Sequence, residues 1–111
     1  MYKKGLIVLT PFIFTDLSSQ KVRPALVLAK SRGDVVVAFI TSQPKKAGGL
    51  NAVNIKRSDK SFSQTGLKET SSILVDTLAT LDKKIVLGEL GTLPLKFQKE
   101  VDKKLKVFLS L

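Results

Sequence analysis

The sequence contains no cysteine and no histidine among its 111 residues. Without cysteine the chain has no disulfide bonds and no thiolate ligands for a metal ion. Without histidine it lacks the usual general base near neutral pH and a frequent zinc ligand. We therefore expect no metal site, no cofactor and no chemistry that depends on an activated thiol.

Long apolar runs are also missing. The longest are a handful of residues, such as 35–40, whereas a membrane-spanning helix needs about 20. The apolar segment at residues 5–9 is too short for a signal peptide and is followed by Pro11 and Asp16. We expect a cytoplasmic protein that does not bind membranes. Its length and its 43% hydrophobic content indicate a single folded domain over residues 1–111.

Acidic residues are scarce: 9 Asp and Glu stand against 19 Lys and Arg, a net charge of +10. The surplus is concentrated in residues 21–68, where ten basic residues and only two acids, Asp34 and Asp59, give +8. The basic residues are Lys21, Arg23, Lys30, Arg32, Lys45, Lys46, Lys56, Arg57, Lys60 and Lys68. Such a field attracts polyanions, because each neutralised phosphate releases counterions. A solvated basic surface without a partner is the alternative.

Short β-rich segments dominate the first three quarters of the chain. Strands are predicted at residues 6–9, 24–29, 35–41, 52–55, 72–81 and 85–90. Residues 10–21, 43–50 and 56–68 are polar or rich in Pro, Gly and Ser and are predicted to be loops. Pro24 is expected to open its strand, where a missing N–H costs no ladder bond. Phe12 and Phe14 of the first loop are expected to fill the core or to stack on bases.

The last part of the sequence changes period. Phe97, Val101, Leu105 and the pair Phe108/Leu109 recur on one face of a helix, and Pro94 suits its first turn. The lysines of this segment lie mostly off that stripe and are expected to be solvated. Five to seven short strands followed by one helix favour a curled, barrel-like antiparallel sheet with the helix on one side.

Six segments follow one another in a recognisable order. They are GLIVL at residues 5–9, FIFTD at 12–16, KVRPALVL at 21–28, ITSQ at 40–43, SSILVDTLATLD at 71–82 and LGELGTL at 87–93. A strand leads through a loop to an Arg-Pro step and an aliphatic strand, a later strand ends in Thr-Ser, and two further segments precede the final helix. In this order the chain resembles the MazF/PemK toxins of bacterial toxin–antitoxin pairs over nearly its whole length.

The resemblance implies a compact, SH3-like antiparallel β-barrel with a C-terminal helix, assembled as a homodimer. It implies the toxin of a type II toxin–antitoxin system: a sequence-specific, metal-independent endoribonuclease that cuts single-stranded mRNA and inhibits growth. It also implies an antitoxin, usually acidic and partly disordered, that covers the dimer. The +8 stretch is a sensible target for such a partner.

The resemblance also carries candidate site residues. The family's catalytic arginine lies in the Arg-Pro step, which here is Arg23, and its helper threonine ends the strand that here closes at Thr41. Some relatives use an Arg and an Asp on a later strand; the Asp position matches Asp76, but Leu74 occupies the Arg position. Those relatives' His in the first loop has no counterpart. RNA-binding side chains are predicted at Lys21, Ser42, Gln43, Lys45, Lys46 and Arg57.

RNA cleavage without a metal requires the 2′-OH to attack its neighbouring phosphate, which leaves a 2′,3′-cyclic phosphate and a 5′-OH. Arg23 suits the stabilisation of the phosphorane charge, because its planar fork binds phosphate oxygens bidentately. Thr41 can hold a non-bridging oxygen. Arginine is a poor proton acceptor, so Asp16 and Asp76 remain open as the general base.

Two other functions remain open at the level of the sequence. A toxin of the same fold that binds DNA gyrase would need no Arg-Thr pair and would carry its recognition residues in the C-terminal helix. A non-catalytic RNA- or DNA-binding barrel would use the basic stretch alone. Serine-hydrolase chemistry at Ser71 or Ser72 is not supported, because no histidine is available to activate the hydroxyl.

Overall fold

The computed structural model describes residues 2–12, 21–43 and 51–111. Within them, six strands precede one helix: β1 (Leu6–Phe12), β2 (Lys21–Ser31), β3 (Asp34–Thr41), β4 (Ala52–Ile55), β5 (Ser71–Asp82), β6 (Gly88–Thr92) and α1 (Leu95–Phe108). These strands form one antiparallel sheet in the order β4-β5-β3-β2-β1-β6. The predicted fold class, a curled antiparallel sheet with a C-terminal helix, is confirmed.

The largest differences from the predicted strand boundaries are at the end of β1, the start of β2 and the start of β6, and hydrogen bonding explains them. Residues 10–12 belong to β1 rather than to a loop, because they pair with the start of β2, as in Phe12 opposite Lys21. Pro24 is therefore the fourth residue of β2 and not its first. The strand predicted at 85–90 begins only at Gly88, because Lys83–Ile85 forms a 3₁₀ turn in which the Lys84 N–H donates to the Asp82 carboxylate.

The β1–β2 pair extends past its neighbours in the described sheet. Strand β6 pairs with β1 only along residues 6–9, and β3 pairs with β2 only from Ala25 onward. Pro11 and Pro24 lie in this two-stranded extension, each opposite a residue of the other strand. Proline is tolerated there because no third described strand requires its missing N–H.

Apolar residues cover both faces of the sheet. On one face Ile7, Leu26, Ala38, Ile40 and Ile73 join the buried Val101 of α1 in a first cluster. On the other face Val8, Val27, Val37 and Phe39 form a second. The near-continuous apolar run of β3 follows from this arrangement, since alternate residues enter different clusters.

Helix α1 packs on the first cluster through the predicted stripe. Val101 is buried, and Phe97 and Leu105 are partly buried against the core. The expectation that the stripe continues to Phe108 and Leu109 is wrong, because both side chains are exposed within the chain. Pro94 stands at the N-cap, one residue before the helix begins.

A lysine fastens the helix to the sheet. The Lys104 ammonium, on the same helix, donates a 2.7 Å hydrogen bond to the Ala52 carbonyl of β4. The described residues contain no helix with the length and apolar character that crossing a bilayer requires.

Candidate functional site

A row of polar residues crosses the sheet at the end where β3 finishes. We call it the polar row; its members, one on each of β1, β2, β3, β5 and β4, are Thr10, Arg23, Thr41, Ser72 and Asn54. Thr10 pairs with Arg23, and Ser72 pairs with Thr41 on one side and Asn54 on the other. The β2–β3 pairing ends at Ala25 opposite Phe39, and Arg23 and Thr41 each lie two residues beyond that pair. Residues opposite one another project from the same face of a sheet.

The hydroxyl groups of the row are buried but differ in their partners. The Thr41 Oγ1 accepts a 3.1 Å hydrogen bond from the Gln43 N–H, and Thr41 is only 9% exposed. The Ser72 hydroxyl donates to the Asn54 Oδ1 at 2.6 Å. Thr10 is completely buried, and its hydroxyl has no hydrogen-bond partner among the described residues. In the row, the Thr41 hydroxyl accepts one hydrogen bond and keeps its own O–H as a donor, whereas the Thr10 hydroxyl has no partner in the described part of the chain.

Asp76 lies beside this row in a bulge of β5. The β3–β5 register passes from Ile40 opposite Ile73 to Ala38 opposite Leu78, so that four residues of β5, 74–77, correspond to the single residue Phe39 of β3. The Asp76 side chain is exposed, and its Oδ1 accepts a 3.2 Å hydrogen bond from the Thr77 hydroxyl.

A cleft of about 540 Å³ opens at the same end of the sheet. We call it the strand-end cleft. Its apolar lining is formed by Leu9, Pro24, Ile40, Leu67 and Leu90, and its polar lining by Arg23, Ser42, Lys68, Glu69 and Ser71. Arg23 thus belongs to both the polar row and the cleft.

One wall of the cleft is the segment between β4 and β5, predicted as a polar loop. Here it is an ordered structure built around a 3₁₀ turn at Phe62–Thr65. Phe62 is buried in the first cluster, and the buried Thr65 hydroxyl donates to the Phe62 carbonyl at 2.7 Å and accepts from the Leu67 N–H at 3.1 Å. The Ser71 hydroxyl closes the segment with a 2.8 Å bond to the Glu69 carbonyl.

Two glycines let this wall lie directly on β6. Gly66 has φ +72°, and a Cβ there would overlap the Leu90 carbonyl oxygen. A Cβ at Gly91 would overlap the Gln64 carbonyl oxygen in the same contact. Backbone packs on backbone, so the cleft wall has little room to shift.

An ion pair ties the wall to the helix. The Lys96 ammonium contacts the Asp59 carboxylate at 2.8 Å, and the Ser61 N–H and hydroxyl both donate to that carboxylate, at 2.9 and 2.6 Å. The hydrogen bond from Lys96, followed by those from Ser61, holds the pKa of Asp59 well below its ordinary value of 3.8. The carboxylate therefore stays ionised, and its contacts stay in place, over the physiological range.

The predicted RNA-binding residues fall around these two features where they can be placed. Lys21 is exposed at the start of β2, two residues before Arg23. Ser42 and Gln43 are exposed just after β3, and Ser42 lines the cleft. Arg57 is exposed on the wall segment, anchored by a 2.9 Å bond from its N–H to the Thr70 hydroxyl.

The remaining predicted residues, Phe14, Asp16, Lys45 and Lys46, lie outside the described residues. Among those that are described, no group of three or more acidic side chains is arranged to hold a metal ion.

Three residues of the candidate site were not predicted from the sequence: Glu69, Ser71 and Thr10. Glu69 is the one acidic residue among the described residues that line the cleft. Its sequence context, between a lysine and Thr70, is that of an ordinary solvated loop. Only the fold brings Glu69 into the lining of the same cleft as Arg23. No signal in the sequence distinguishes it. Thr10 was assigned to a loop, and the pairing of β1 with β2 places it instead beside Arg23.

Solved structures of similar fold are toxins. The chain superposes with a TM-score of 0.77 on a MazE–MazF structure from Deinococcus radiodurans, at 23% identity, covering 99% of this chain and 96% of that one. An endoribonuclease in complex with its cognate antitoxin, from a mycobacterial species, gives 0.76 at 20% identity, with 100% and 97% covered. Mycobacterium tuberculosis toxin MazF-mt6 gives 0.74 at 19%, with 96% and 97% covered. These likenesses establish the fold. A comparison with curated proteins gave no match.

The family is established by the sequence itself. The profile of the family described as PemK-like, MazF-like toxin of type II toxin-antitoxin system matches residues 3–109. This match covers nearly the whole chain, and the chain belongs to that toxin family. The resemblance found in the sequence is confirmed.

Proposed function

We propose that this chain is the toxin of a type II toxin–antitoxin system and acts as a metal-independent, sequence-specific endoribonuclease on single-stranded mRNA. The observation that carries the proposal is that Arg23 and Thr41, on neighbouring strands, each lie two residues beyond the last β2–β3 pair, Ala25 with Phe39, at the end of the sheet where the cleft opens. Family membership and the endoribonuclease of the same fold support it.

In the proposed reaction the 2′-OH attacks the adjacent phosphorus, and the bond from phosphorus to the 5′ oxygen of the next nucleotide breaks. The products are a 2′,3′-cyclic phosphate and a 5′-OH. Arg23 contributes two parallel N–H donors to the phosphorane oxygens. Thr41 accepts from the Gln43 N–H, and its own O–H remains a donor for a non-bridging oxygen.

The proton of the 2′-OH needs an acceptor, and Asp76 and Asp16 are the proposed candidates. Asp76 is one of the four residues of β5 between the pair Ile40–Ile73 and the pair Ala38–Leu78. Its carboxylate is exposed and is therefore accessible to a bound RNA. Asp16 stays a prediction from the sequence.

RNA is held in this proposal by Lys21, Ser42, Gln43 and Arg57 near the cleft, together with Lys45 and Lys46. Contacts from lysine and arginine to phosphates give affinity that falls steeply with salt. The same +10 charge favours an acidic antitoxin, and MazE bound to MazF in the Deinococcus radiodurans structure is the corresponding pair in a protein of the same fold.

We also propose that the toxin is a homodimer and works in the cytoplasm. Val107 and Leu111, at the end of α1 and after it, are 76% and 87% exposed in the single chain. Apolar surface of this kind is commonly covered by another subunit.

The test is cleavage of a long single-stranded RNA by the purified protein in EDTA, with the new ends mapped. Arg23→Ala should lower the saturated cleavage rate at least ~100-fold, about 2.7 kcal/mol of transition-state stabilisation, with a much smaller loss of RNA affinity. Arg23→Lys keeps the charge and loses the bidentate fork, so it should also cut slowly.

Arg32→Lys is the matched control, because Arg32 is exposed in the turn between β2 and β3, at the opposite end of the hairpin. It should cleave at the parent rate. Parent-rate cleavage by both Arg23 variants would make Arg23 a bystander. Cleavage only after addition of Mg²⁺ or Mn²⁺ would contradict the metal-free mechanism, and absence of cleavage would favour a gyrase-binding or non-catalytic protein.

A further inference from the structure

The strand-end cleft has the size and composition of a small-molecule site. Its volume of about 540 Å³ lies within the ~300–1,000 Å³ usual for ligand pockets. Aliphatic residues such as Leu9, Leu67 and Leu90 line it, and a few polar residues lie among them. A nucleobase has matching chemistry, with two apolar faces and a hydrogen-bonding edge.

The cleft is lined by residues of both charge signs. Arg23 and Lys68 are cationic, and Glu69 is the one carboxylate in the described lining. Cations alone would suit phosphate. A carboxylate repels phosphate and accepts hydrogen bonds only, so a ligand that uses the whole cleft combines an anionic group with a separate edge of N–H donors.

We propose that the strand-end cleft binds one guanine base of the RNA and that Glu69 is the residue that selects it. The inference rests on the proposed function for the identity of the ligand as RNA. Arg23 belongs to the polar row and also borders the cleft, so an RNA strand that passes Arg23 can place a base in the cleft that Glu69 lines.

Guanine follows from the hydrogen-bond patterns of the four bases. A carboxylate presents two acceptors side by side, and guanine offers N1–H and N2–H as two parallel donors on its Watson–Crick edge. Adenine and cytosine each place an acceptor nitrogen beside their amino group, which opposes the second carboxylate oxygen. Uracil has a single N–H between two carbonyl groups. The Ser42 and Ser71 hydroxyls of the cleft are adaptable to the remaining atoms of the base.

The wall that carries Glu69 is fixed before any ligand arrives. The contact of Gly66 with the Leu90 carbonyl, the Ser71 bond to the Glu69 carbonyl and the Asp59–Lys96 ion pair each hold it. A carboxylate on a fixed wall discriminates between bases better than one on a mobile loop, because less ordering accompanies binding.

An acidic peptide is the competing occupant, and Glu69 argues against it. A peptide rich in Asp and Glu gains from Arg23 and Lys68 but places a like charge against Glu69. Like charges brought together at an interface suppress binding. The guanine of an RNA uses all three groups.

The test measures binding rather than cleavage, so that it stands apart from the test of ribonuclease activity. Short 2′-O-methyl RNAs of sequence UUNUU, with N as each of the four bases, cannot undergo 2′-OH attack. Their affinities are measured by fluorescence anisotropy for the parent, for Glu69→Gln and for Glu89→Gln. Glu89 is exposed on β6 next to the cleft residue Leu90 but does not line the cleft, so its variant removes the same charge nearby without touching the site.

The parent and Glu89→Gln should bind the guanine guest about 10-fold more tightly than the uracil guest, the discrimination of a good bidentate contact. In Glu69→Gln the four guests should bind within about threefold of one another. This pattern supports the pocket even if the parent cuts no RNA.

Equal binding of the four guests by the parent, or a guanine preference that survives in Glu69→Gln, overturns the proposal even if the parent is an active ribonuclease. Equal binding of the guests together with tighter binding of polyglutamate to Glu69→Gln than to Glu89→Gln would assign the cleft to an acidic peptide and also overturns it. Glu69 is exposed, so both variants should fold, which thermal unfolding verifies.

Discussion

The buried hydroxyl of Thr10 gives a prediction for the stability of the protein. Thr10 is completely buried, and within residues 2–12, 21–43 and 51–111 its Oγ1 has no hydrogen-bond partner. A buried hydroxyl without a partner is destabilising by about 1–3 kcal/mol relative to water. Valine has nearly the same shape and replaces that hydroxyl by a methyl group, so Thr10→Val should raise the free energy of unfolding by about 1–2 kcal/mol.

Thr65 is the matched control, because it is equally buried and its hydroxyl makes two hydrogen bonds, to the Phe62 carbonyl and from the Leu67 N–H. Thr65→Val leaves both backbone groups without this partner and should lower the free energy of unfolding by about 1–3 kcal/mol. The same substitution at two buried threonines is thus expected to raise the free energy of unfolding at Thr10 and to lower it at Thr65.

Urea unfolding of the parent and both variants at one protein concentration gives the free energies, and thermal unfolding should follow at about 4 °C per kcal/mol. If Thr10→Val destabilises the protein as much as Thr65→Val does, the Thr10 hydroxyl has a partner in solution and the reasoning fails. If both changes are neutral, the two hydroxyls are accessible to water in solution.

Two further predictions concern the wall of the cleft. Gly66→Ala should destabilise the protein by at least about 2 kcal/mol, because alanine is strained at a positive φ and its Cβ would meet the Leu90 carbonyl; Gly33→Ala, where a Cβ meets nothing within 4 Å, is the control, and equal urea midpoints would contradict this packing. Asp59 has its pKa lowered by Lys96 and Ser61, so its stabilisation is present above the ordinary pKa of 3.8 and is lost as the pH falls further, toward the folded-state pKa. Asp59→Asn should therefore lose less stability than the parent between neutral pH and about pH 3, and equal losses in urea unfolding would show that the ion pair is not formed in solution.

The strands and the helix were predictable because their patterns are local. Residues 35–40 are apolar throughout, and the structure shows that residues of β3 alternate between two buried clusters. The spacing of Phe97, Val101 and Leu105 identifies the buried face of α1 without reference to any other segment. Each prediction needed only the period of one stretch of sequence.

The polar row was not predictable in the same way. Arg23 and Thr41 were selected by family resemblance, but the addition of Thr10 and Ser72 depends on the registers of strands far apart in the sequence. A shift of one residue in either register would move a whole strand's side chains to the other face. Composition does not encode such a choice between distant segments.

The cleft could not be predicted from the sequence for a different reason. Its wall reads as a solvated loop because Phe62 is the one large apolar residue between positions 56 and 66. In the structure the order of this wall comes from backbone contacts at Gly66 and Gly91 and from the Asp59–Lys96 ion pair. Interactions of glycine backbone and of exposed charges leave no hydrophobic pattern, so sequence periodicity cannot reveal them.

The prolines of the β1–β2 extension have a consequence for behaviour at high concentration. Exposed strand edges are templates on which other extended chains polymerise. Pro11 and Pro24 interrupt the backbone donors of the extension, and the outermost described strands, β4 and β6, contain only four and five residues. The described sheet therefore presents no long, uninterrupted edge on which the strand of another chain could pair.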